Sequence, residues 1–287
     1  MDFRTELASF LQSRRARVQP EDLGVRPLSG RRRVPGLRRE ELAERAGVSV
    51  DYYVRLEQGR SPNVSEQVLD SIARTLRLDA SERAHLGHLT RALRGDSGAH
   101  PDPVTPQPVR GGVRILLDAV GDVPAYVLGR RLDVLASNRA ARALFVDFDA
   151  LPPAQRNLAW LHFRHPAMRE LYTDWEEAAR DTVAALRMDL GRYPCDDRLC
   201  ALLAELSVGS AEFRHLWSEH QVREHAHDVQ RLHHPVAGEL TLNRETLSLP
   251  TEPDQSLVTF AAEPGTASQE ALRTLVGDLA TAAVRMP

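Results

Sequence analysis

The chain has 287 residues, 42% of them hydrophobic and 27% charged, with a formal net charge of −3; this is enough for two ordinary globular domains. All 37 basic residues are arginine, and the absence of lysine excludes a Walker-type phosphate loop, a pyridoxal Schiff base and a lysine general base. The longest run without Asp, Glu, Lys or Arg, Gln255–Ala262, is far short of the ~18 residues of a membrane helix, and two cysteines, Cys195 and Cys200, are too few for a disulfide framework.

The first 95 residues carry 18 arginines against 13 acidic residues, a net +5, and the remainder carries −8. The part expected to meet a polyanion is therefore the N-terminal one. Its opening residues, with Asp2, Arg4 and Glu6, are not a secretory leader, so a cytoplasmic protein is expected. Phe3, Leu7, Phe10 and Leu11 share one face of a first helix. A basic stretch follows, from Arg26 through Arg31–Arg33 to Pro35 and Gly36. Four short helices are then predicted, over Arg38–Ala46, Ser49–Gln58, Ser65–Leu76 and Ser81–Leu93. Leu69, Ile72, Ala73 and Leu76 keep a helical stripe, and Asp79 with Glu82 forms a start signal before the last helix. Residues 1–95 thus read as an all-α domain of five helices.

Residues 96–110 hold Pro101, Pro103, Pro106 and Pro108, which forbid a continuing helix and mark a linker. From residue 111 to 287 the pattern mixes. Tyr126–Leu128 and Leu132–Ser137 flank Gly129-Arg130-Arg131 as a β-hairpin. Helices are predicted over Asn138–Leu144, Asp174–Leu190, Arg198–Ser207, Ala211–His225 and Ser268–Val284. Gly238–Asn243, Thr246–Leu249 and Leu257–Ala262 alternate as strands, pairing Leu240 with Leu242, Leu247 with Leu249 and Val258 with Phe260 on one face each. Strands at both ends with helices between imply an α+β domain with a half-covered antiparallel sheet.

The most informative stretch is Leu37–Arg60, LRREELAERAGVSVDYYVRLEQGR. Helix, Gly47-Val48-Ser49, helix is the layout of a helix-turn-helix, with Gly47 able to take positive φ and Ser49 able to cap the second helix. Leu42, Ala43, Ala46 and Val48 face the core from the first helix and the turn. At about 100° per residue, Tyr53 and Leu56 then point inward and Asp51 and Arg55 outward, flanked by Tyr52 and Val54, with Val50 at the tip. A recognition helix reads base edges with such N-terminal, outward positions. Arg55 suits guanine, Val50 a thymine methyl and Asp51 the amino group of cytosine. Arg38, Arg39, Arg60 and Asn63 lie near helix ends suited to phosphate contacts, and Arg31–Arg33 suit an arm on the backbone or in a minor groove. The competing reading is a protein-interaction module in which the hairpin is a plain αα packing unit and Asp51 and Arg55 a solvated face.

RRRVPGLRREELAERAGVSVDYYVRLEQGR with SPNVSEQVLDSIARTL resembles the Xre/Cro-type helix-turn-helix of phage repressors in its actinobacterial form. This likeness implies a lambda-repressor-like fold, Val50, Asp51, Tyr52 and Arg55 facing bases, and Arg39 as a phosphate clamp. VPAYVLGRRLDVLASNRAARALF, NLAWLHF, DWEEAARDTVAALR, RLHHPVAGELTLNRETLSLP and DQSLVTFAAEPG resemble the MmyB-like ligand-binding domain, which is PAS-like. Together these likenesses imply a one-component transcription regulator whose second domain holds an apolar, fatty-acid-like effector between sheet and helices. A homodimer on double-stranded DNA, with no membrane partner, is expected.

Taken by itself, the second half offers Tyr126, Leu128, Val134, Trp160, Phe163, Trp175, Phe213, Trp217, Leu242, Leu247, Val258 and Phe260 as residues that fill a core before they line a cavity; their reading as a pocket rests on the family resemblance. His220, His225, His227, His233 and His234 cluster but lack an accompanying cysteine or acid pair at ligand spacing, so no metal and no cofactor is expected. Cys195 and Cys200 read as ordinary thiols. No GxSxG, HExxH or GxGxxG motif is present, and adjacent acids such as Asp196-Asp197 diverge on a helix; no enzyme is expected.

Overall fold

A computed structural model describes residues 2–23, 36–61, 63–95, 107–194, 196–223 and 227–284. Its contacts divide into two compact units. Unit 1 comprises Met1–Asp102, Arg187–Cys200 and Trp217–Arg223, and unit 2 comprises Pro103–Leu186, Ala201–Leu216 and Glu224–Pro287.

The N-terminal part of unit 1 holds α1 (Phe3–Arg17), α2 (Arg39–Ala46), α3 (Val50–Glu57), α4 (Glu66–Thr75) and α5 (Ala80–Arg94), the five helices expected. Each begins where its sequence supplies an acceptor for otherwise unpaired backbone donors. Asp2 accepts from the Arg4 N–H, Ser49 from Tyr52 at 3.1 Å and Ser65 from Val68 at 3.3 Å. Asp79 and Glu82 form a reciprocal capping box at 2.8 and 3.2 Å. Leu7, Phe10, Leu11, Leu37, Leu42, Ala43, Tyr53 and Leu56 are fully buried in one core. Met188 and Val222, from the two later segments of unit 1, join the same core. The expected arm Arg31–Arg33 lies outside the described residues.

Unit 2 begins with α6 (Gly111–Ala119), β1 (Ala125–Leu128), β2 (Val134–Ser137), α7 (Arg139–Leu144), α8 (Leu158–Arg164) and α9 (Pro166–Leu171). Then follow α10 (Trp175–Arg192), α11 (Asp197–Gly209) and α12 (Ala211–Ser218), whose stretches within Arg187–Cys200 and Trp217–Arg223 belong to unit 1, and β3 (His227–His234), β4 (Gly238–Leu249), β5 (Glu252–Ala261) and α13 (Ala267–Val284). The strands form one antiparallel sheet in the order β2-β1-β5-β4-β3, consistent with the PAS-like arrangement. Alternation sends side chains to two sides. Tyr126, Leu128, Leu240, Leu242, Val258 and Phe260 enter one core with residues of α7–α9 and α13. Ala125, Val127 and Leu257 enter a second core with Val109 and with Val113 and Leu117 of α6. Both faces of β1 are therefore covered, which is why all four of its residues are buried.

The structure corrects several sequence expectations. β4 is one continuous strand rather than two, and the helix over Ala211–His225 stops at Ser218. Just beyond it His220 takes a φ of 52°, a left-handed conformation that breaks helical continuation. Strand β3 and helices α6, α8 and α9 were not anticipated; α8 and α9 are short turns around His165-Pro166. The hairpin is looser than expected, because a 3-10 turn over Arg130–Leu132 delays β2 to Val134. Arg130 and Arg131 there are buried, and they are neutralised by Asp254 at 2.7 Å and Asp133 at 3.0 Å. Leu247 and Leu249 lie on the side of β4 opposite Leu240 and Leu242, and Leu247 is exposed.

Asn138 fastens the start of this sheet to α7. Its Oδ1 accepts from the N–H of Ala125 at 3.0 Å and of Ala141 at 2.9 Å, and its Nδ2 donates to the Val123 carbonyl at 2.7 Å. Asn138→Ala strands two buried N–H groups and one carbonyl, so unit 2 is expected to lose about 2–4 kcal/mol in urea unfolding. A loss below about 0.5 kcal/mol, the level of a neutral surface change, would show that these groups are satisfied otherwise.

Candidate nucleic-acid interface and effector unit

Helices α2 and α3 are joined by Gly47-Val48-Ser49. Gly47 adopts φ 69°, and its N–H reaches the Glu44 carbonyl at 3.2 Å; a side chain there would be strained in this left-handed conformation. The Val48 N–H closes on Ala43 at 3.0 Å. The turn thus ends α2 sharply and starts α3 one residue after the Ser49 cap.

On α3, Tyr53 and Leu56 are fully buried, while Asp51 and Arg55 are exposed and Tyr52 is half-buried. Val50 is 37% exposed, an apolar side chain left to solvent at the tip of a helix whose opposite face is in the core. Ser49 is exposed, but its hydroxyl is occupied by the cap. The candidate base-facing residues therefore lie along one accessible edge. Arg60 and Asn63 are exposed beyond the end of α3. Arg38 is half-buried at the start of α2, where its own N–H donates to Glu41 at 2.8 Å.

Arg39 is held differently. Its Nε and Nη2 both reach Oε1 of Glu57, at 3.2 and 2.7 Å. Glu57 is 1% exposed at the end of α3, and Arg15 lies 3.6 Å from its other oxygen. The hydrogen bonds and charge of Glu57 raise the Arg39 pKa further above its ordinary value. Glu57, which sequence reasoning did not single out, thus ties α2 to α3 and fixes the direction of a guanidinium that stays 43% exposed. Such a preset arginine presents its free edge to an anion with less ordering left to do. The only sequence signal was an acid 18 residues after an arginine, which no periodicity marks. Gly59 closes this end of α3 with φ 64°, and a β-carbon there would stand 2.9 Å from the side chain of Arg4 on α1.

In unit 2, six of the ten residues proposed to bind an effector share one core: Tyr126, Leu128, Val134, Leu242, Val258 and Phe260. Trp160 packs against it while its indole N–H reaches Glu205 at 3.0 Å. Phe163 sits edge-on to Trp175 and Phe213, with centroids 5.7 and 5.2 Å apart. Trp217 is not with them. It belongs to unit 1, where the Arg187 guanidinium lies 4.1 Å over its ring. Leu247, weighed as a further candidate, faces away from this core and is exposed.

Phe145 and Phe148 were missed, although they surround Tyr126 together with Phe260 at centroid distances of 5.6–6.1 Å. The sheet also carries charge on this side, since Asp228 and Arg244 are cross-strand partners and form a 2.6 Å ion pair. Burial raises the pKa of both Tyr126 and Tyr172 well above the ordinary phenol value.

His225 and Cys195 lie outside the described residues, and among the described ones no three His, Cys, Asp or Glu side chains gather as ion ligands. Likewise no described helix is long and apolar enough to cross a membrane.

The chain thus pairs a helix-turn-helix, whose second helix is exposed along one edge, with a helix-covered antiparallel sheet. Residues 109–275 match the MmyB-like transcription regulator ligand binding domain, and the chain belongs to that family. Residues 6–86 match the helix-turn-helix domain. The protein is accordingly a transcription regulator with one DNA-binding and one ligand-binding domain, neither of them an enzyme family. No curated protein matches the chain.

Proposed function

We propose that the protein is a cytoplasmic, homodimeric repressor that lays α3 in the major groove of a pseudo-palindromic operator and leaves it when a small apolar, fatty-acid-like effector binds in unit 2. The observation that carries this reading is the exposed edge of α3, with Val50, Asp51 and Arg55 in solvent opposite fully buried Tyr53 and Leu56. Val50, Asp51, Tyr52 and Arg55 meet base edges, while Arg38, Arg39, Ser49, Arg60 and Asn63 flank them toward phosphates. Two such heads grip half-sites about one DNA turn, ~34 Å, apart.

The effector lies on the side of the sheet bearing Tyr126, Leu242, Val258 and Phe260, and it acts by binding one arrangement of the dimer better than the other. A tenfold change in operator affinity needs only ~1.4 kcal/mol of such coupling.

The test is selection of duplexes from a random library by the full chain, followed by titration of the winning site. Arg55→Ala is expected to lose ~1–3 kcal/mol on that site and to relax preference at one base pair per half-site, with little change on random DNA. An unchanged affinity and unchanged preference would remove Arg55 from base reading.

A further inference from the structure

The helix that covers the second side of the sheet leaves its outer face in solvent. On α6, GGVRILLDA, Val113 and Leu117 are buried with residues of β1 and β5, while Ile115 is 72% and Leu116 49% exposed. Among the described residues no other helix exposes two neighbouring large apolar side chains. At about 100° per residue, Gly112, Ile115, Leu116 and Ala119 fall on one outward stripe, and all four are exposed. Arg114 and Asp118, also exposed, stand one turn apart along one flank of that stripe. Neither of their side chains has a partner among the described residues. On the side of the sheet that α6 covers, Leu247 is exposed too, although its cross-strand partner Leu257 is buried in the α6 core.

The order of these residues is self-complementary. From either end the stripe runs small, large, large, small. An antiparallel second α6, related by a two-fold axis between Ile115 and Leu116, therefore sets Gly112 against the partner subunit's Ala119 and Ile115 against the partner subunit's Leu116. That axis also brings the two charged flanks to the same side while reversing their direction. Arg114 and the partner subunit's Asp118 then stand within about 1.5 Å of the same height along the helices, and this opposite-charge pair forms twice. A parallel copy would put the charged flanks on opposite sides and pair neither. The occupant that such symmetry fits is a second copy, since an isologous contact is the one that sets a surface against itself. Nine residues of helix, about 13 Å long, supply only part of the ~800 Å² per partner of a stable interface. The open sheet on that side, with Leu247 and Val229 exposed, supplies more.

We infer that two copies of this chain dimerise through α6, packed antiparallel on itself about Ile115 and Leu116, with Arg114 of each copy paired to the partner subunit's Asp118. This rests on the homodimeric reading of the protein and locates its interface. β1 sends Tyr126 and Leu128 into the core proposed to take the effector and Ala125 and Val127 into the α6 core. The contact between copies thus lies one strand away from the effector.

Sedimentation equilibrium of the full chain tests this. The native chain is expected as a dimer, and Ile115→Glu, at a solvent-facing position that leaves the core alone, is expected to raise the dissociation constant about 100-fold. Arg114→Asp sets like charges across the axis and is expected to raise it about tenfold. Adding Asp118→Arg to Arg114→Asp rebuilds the pair in reverse and is expected to return it to within about twofold of native. A native chain that stays monomeric at its highest soluble concentration would remove the homodimeric reading and this interface with it. A native dimer indifferent to both Ile115→Glu and Arg114→Asp would overturn the interface alone, leaving the homodimer to another surface and α6 to a partner other than this chain. A charge-swapped double variant as weak as Arg114→Asp would overturn the antiparallel pairing. Should Ile115→Glu not fold, the two charge variants decide by the same outcomes.

Discussion

Arg187→Ala is expected to destabilise unit 1 by about 3–5 kcal/mol, the cost of leaving a buried charge without its partner. Arg187 is fully buried; its guanidinium pairs with Glu6 of α1, donates to the Trp217 carbonyl and stacks over the Trp217 ring. Burial opposes ionisation of Glu6, but a hydrogen bond from His220 and the charge of Arg187 outweigh it and hold the carboxyl at about 2. Glu6 therefore stays charged at every physiological pH, and removal of the arginine strands it in the interior.

Urea unfolding followed by tryptophan fluorescence reads the loss. The double variant Glu6→Gln with Arg187→Met, which removes both charges and keeps most of the volume, is expected to recover more than half of it. A loss below about 1 kcal/mol, the worth of an exposed ion pair, would mean that water reaches this pair.

Acid should weaken both units well before carboxylates titrate. His85 is fully buried against the Phe10 ring, with centroids 5.1 Å apart. Burial, the largest influence, holds its pKa near 3, far below the ordinary 6.5. His162 is held near 4 in the same way. In both the folded value is depressed, so below pH 6.5 the unfolded chain takes up a proton that the folded chain refuses. The stabilisation is complete above 6.5 and falls as pH drops toward 3 and 4 respectively, by up to ~1.4 kcal/mol per pH unit for each histidine.

Between pH 6.5 and 5.0 His85 and His162 are thus each expected to cost their unit about 1.6 kcal/mol. Glu6 adds to this only lower, because its contribution is intact above 4.5 and is lost as pH falls through about 2. Unfolding midpoints at pH 7.5, 6.5, 5.5 and 5.0 measure the slope. His85→Phe should lower the slope that belongs to unit 1 without abolishing it, because burial also holds His88 near 4, and a flat profile in the native chain would show that these imidazoles are accessible to protons in the fold.

The helices of the N-terminal region were legible because local rules decide them. Caps at Ser49, Ser65 and Asp79, the left-handed Gly47 and the burial of Tyr53 and Leu56 all follow from spacing along one helix. The sheet was only half legible. β4 and β5 alternate visibly, but β3, HDVQRLHH, places polar residues at most positions because only Leu232 and His234 are buried. Its periodicity is correspondingly faint.

What could not be read is whatever depends on remote partners. Glu57 under Arg39, Glu6 with Arg187 and Thr182 with His162 are separated by 18, 181 and 20 positions, and single-sequence patterns carry no term for such pairs. For the same reason nothing in the sequence marked Arg187–Cys200 and Trp217–Arg223 as parts of unit 1, nor that Trp217 sits there. The effector residues were recovered mainly where they fall on strands, and Phe145 and Phe148 escaped because they follow a helix end and a turn rather than a repeating pattern.

The central claim is that α3 enters the major groove with its Val50–Arg55 edge toward the bases. Methylation interference on the selected operator tests it most directly, since dimethyl sulfate marks guanine N7 in the major groove and adenine N3 in the minor groove. Bound and free duplexes should differ at guanine N7 positions in two clusters about one helical turn apart, and Arg55→Ala should abolish the interference at one guanine in each. Interference confined to adenine N3, or none at any guanine within the selected half-sites, would contradict the placement of α3.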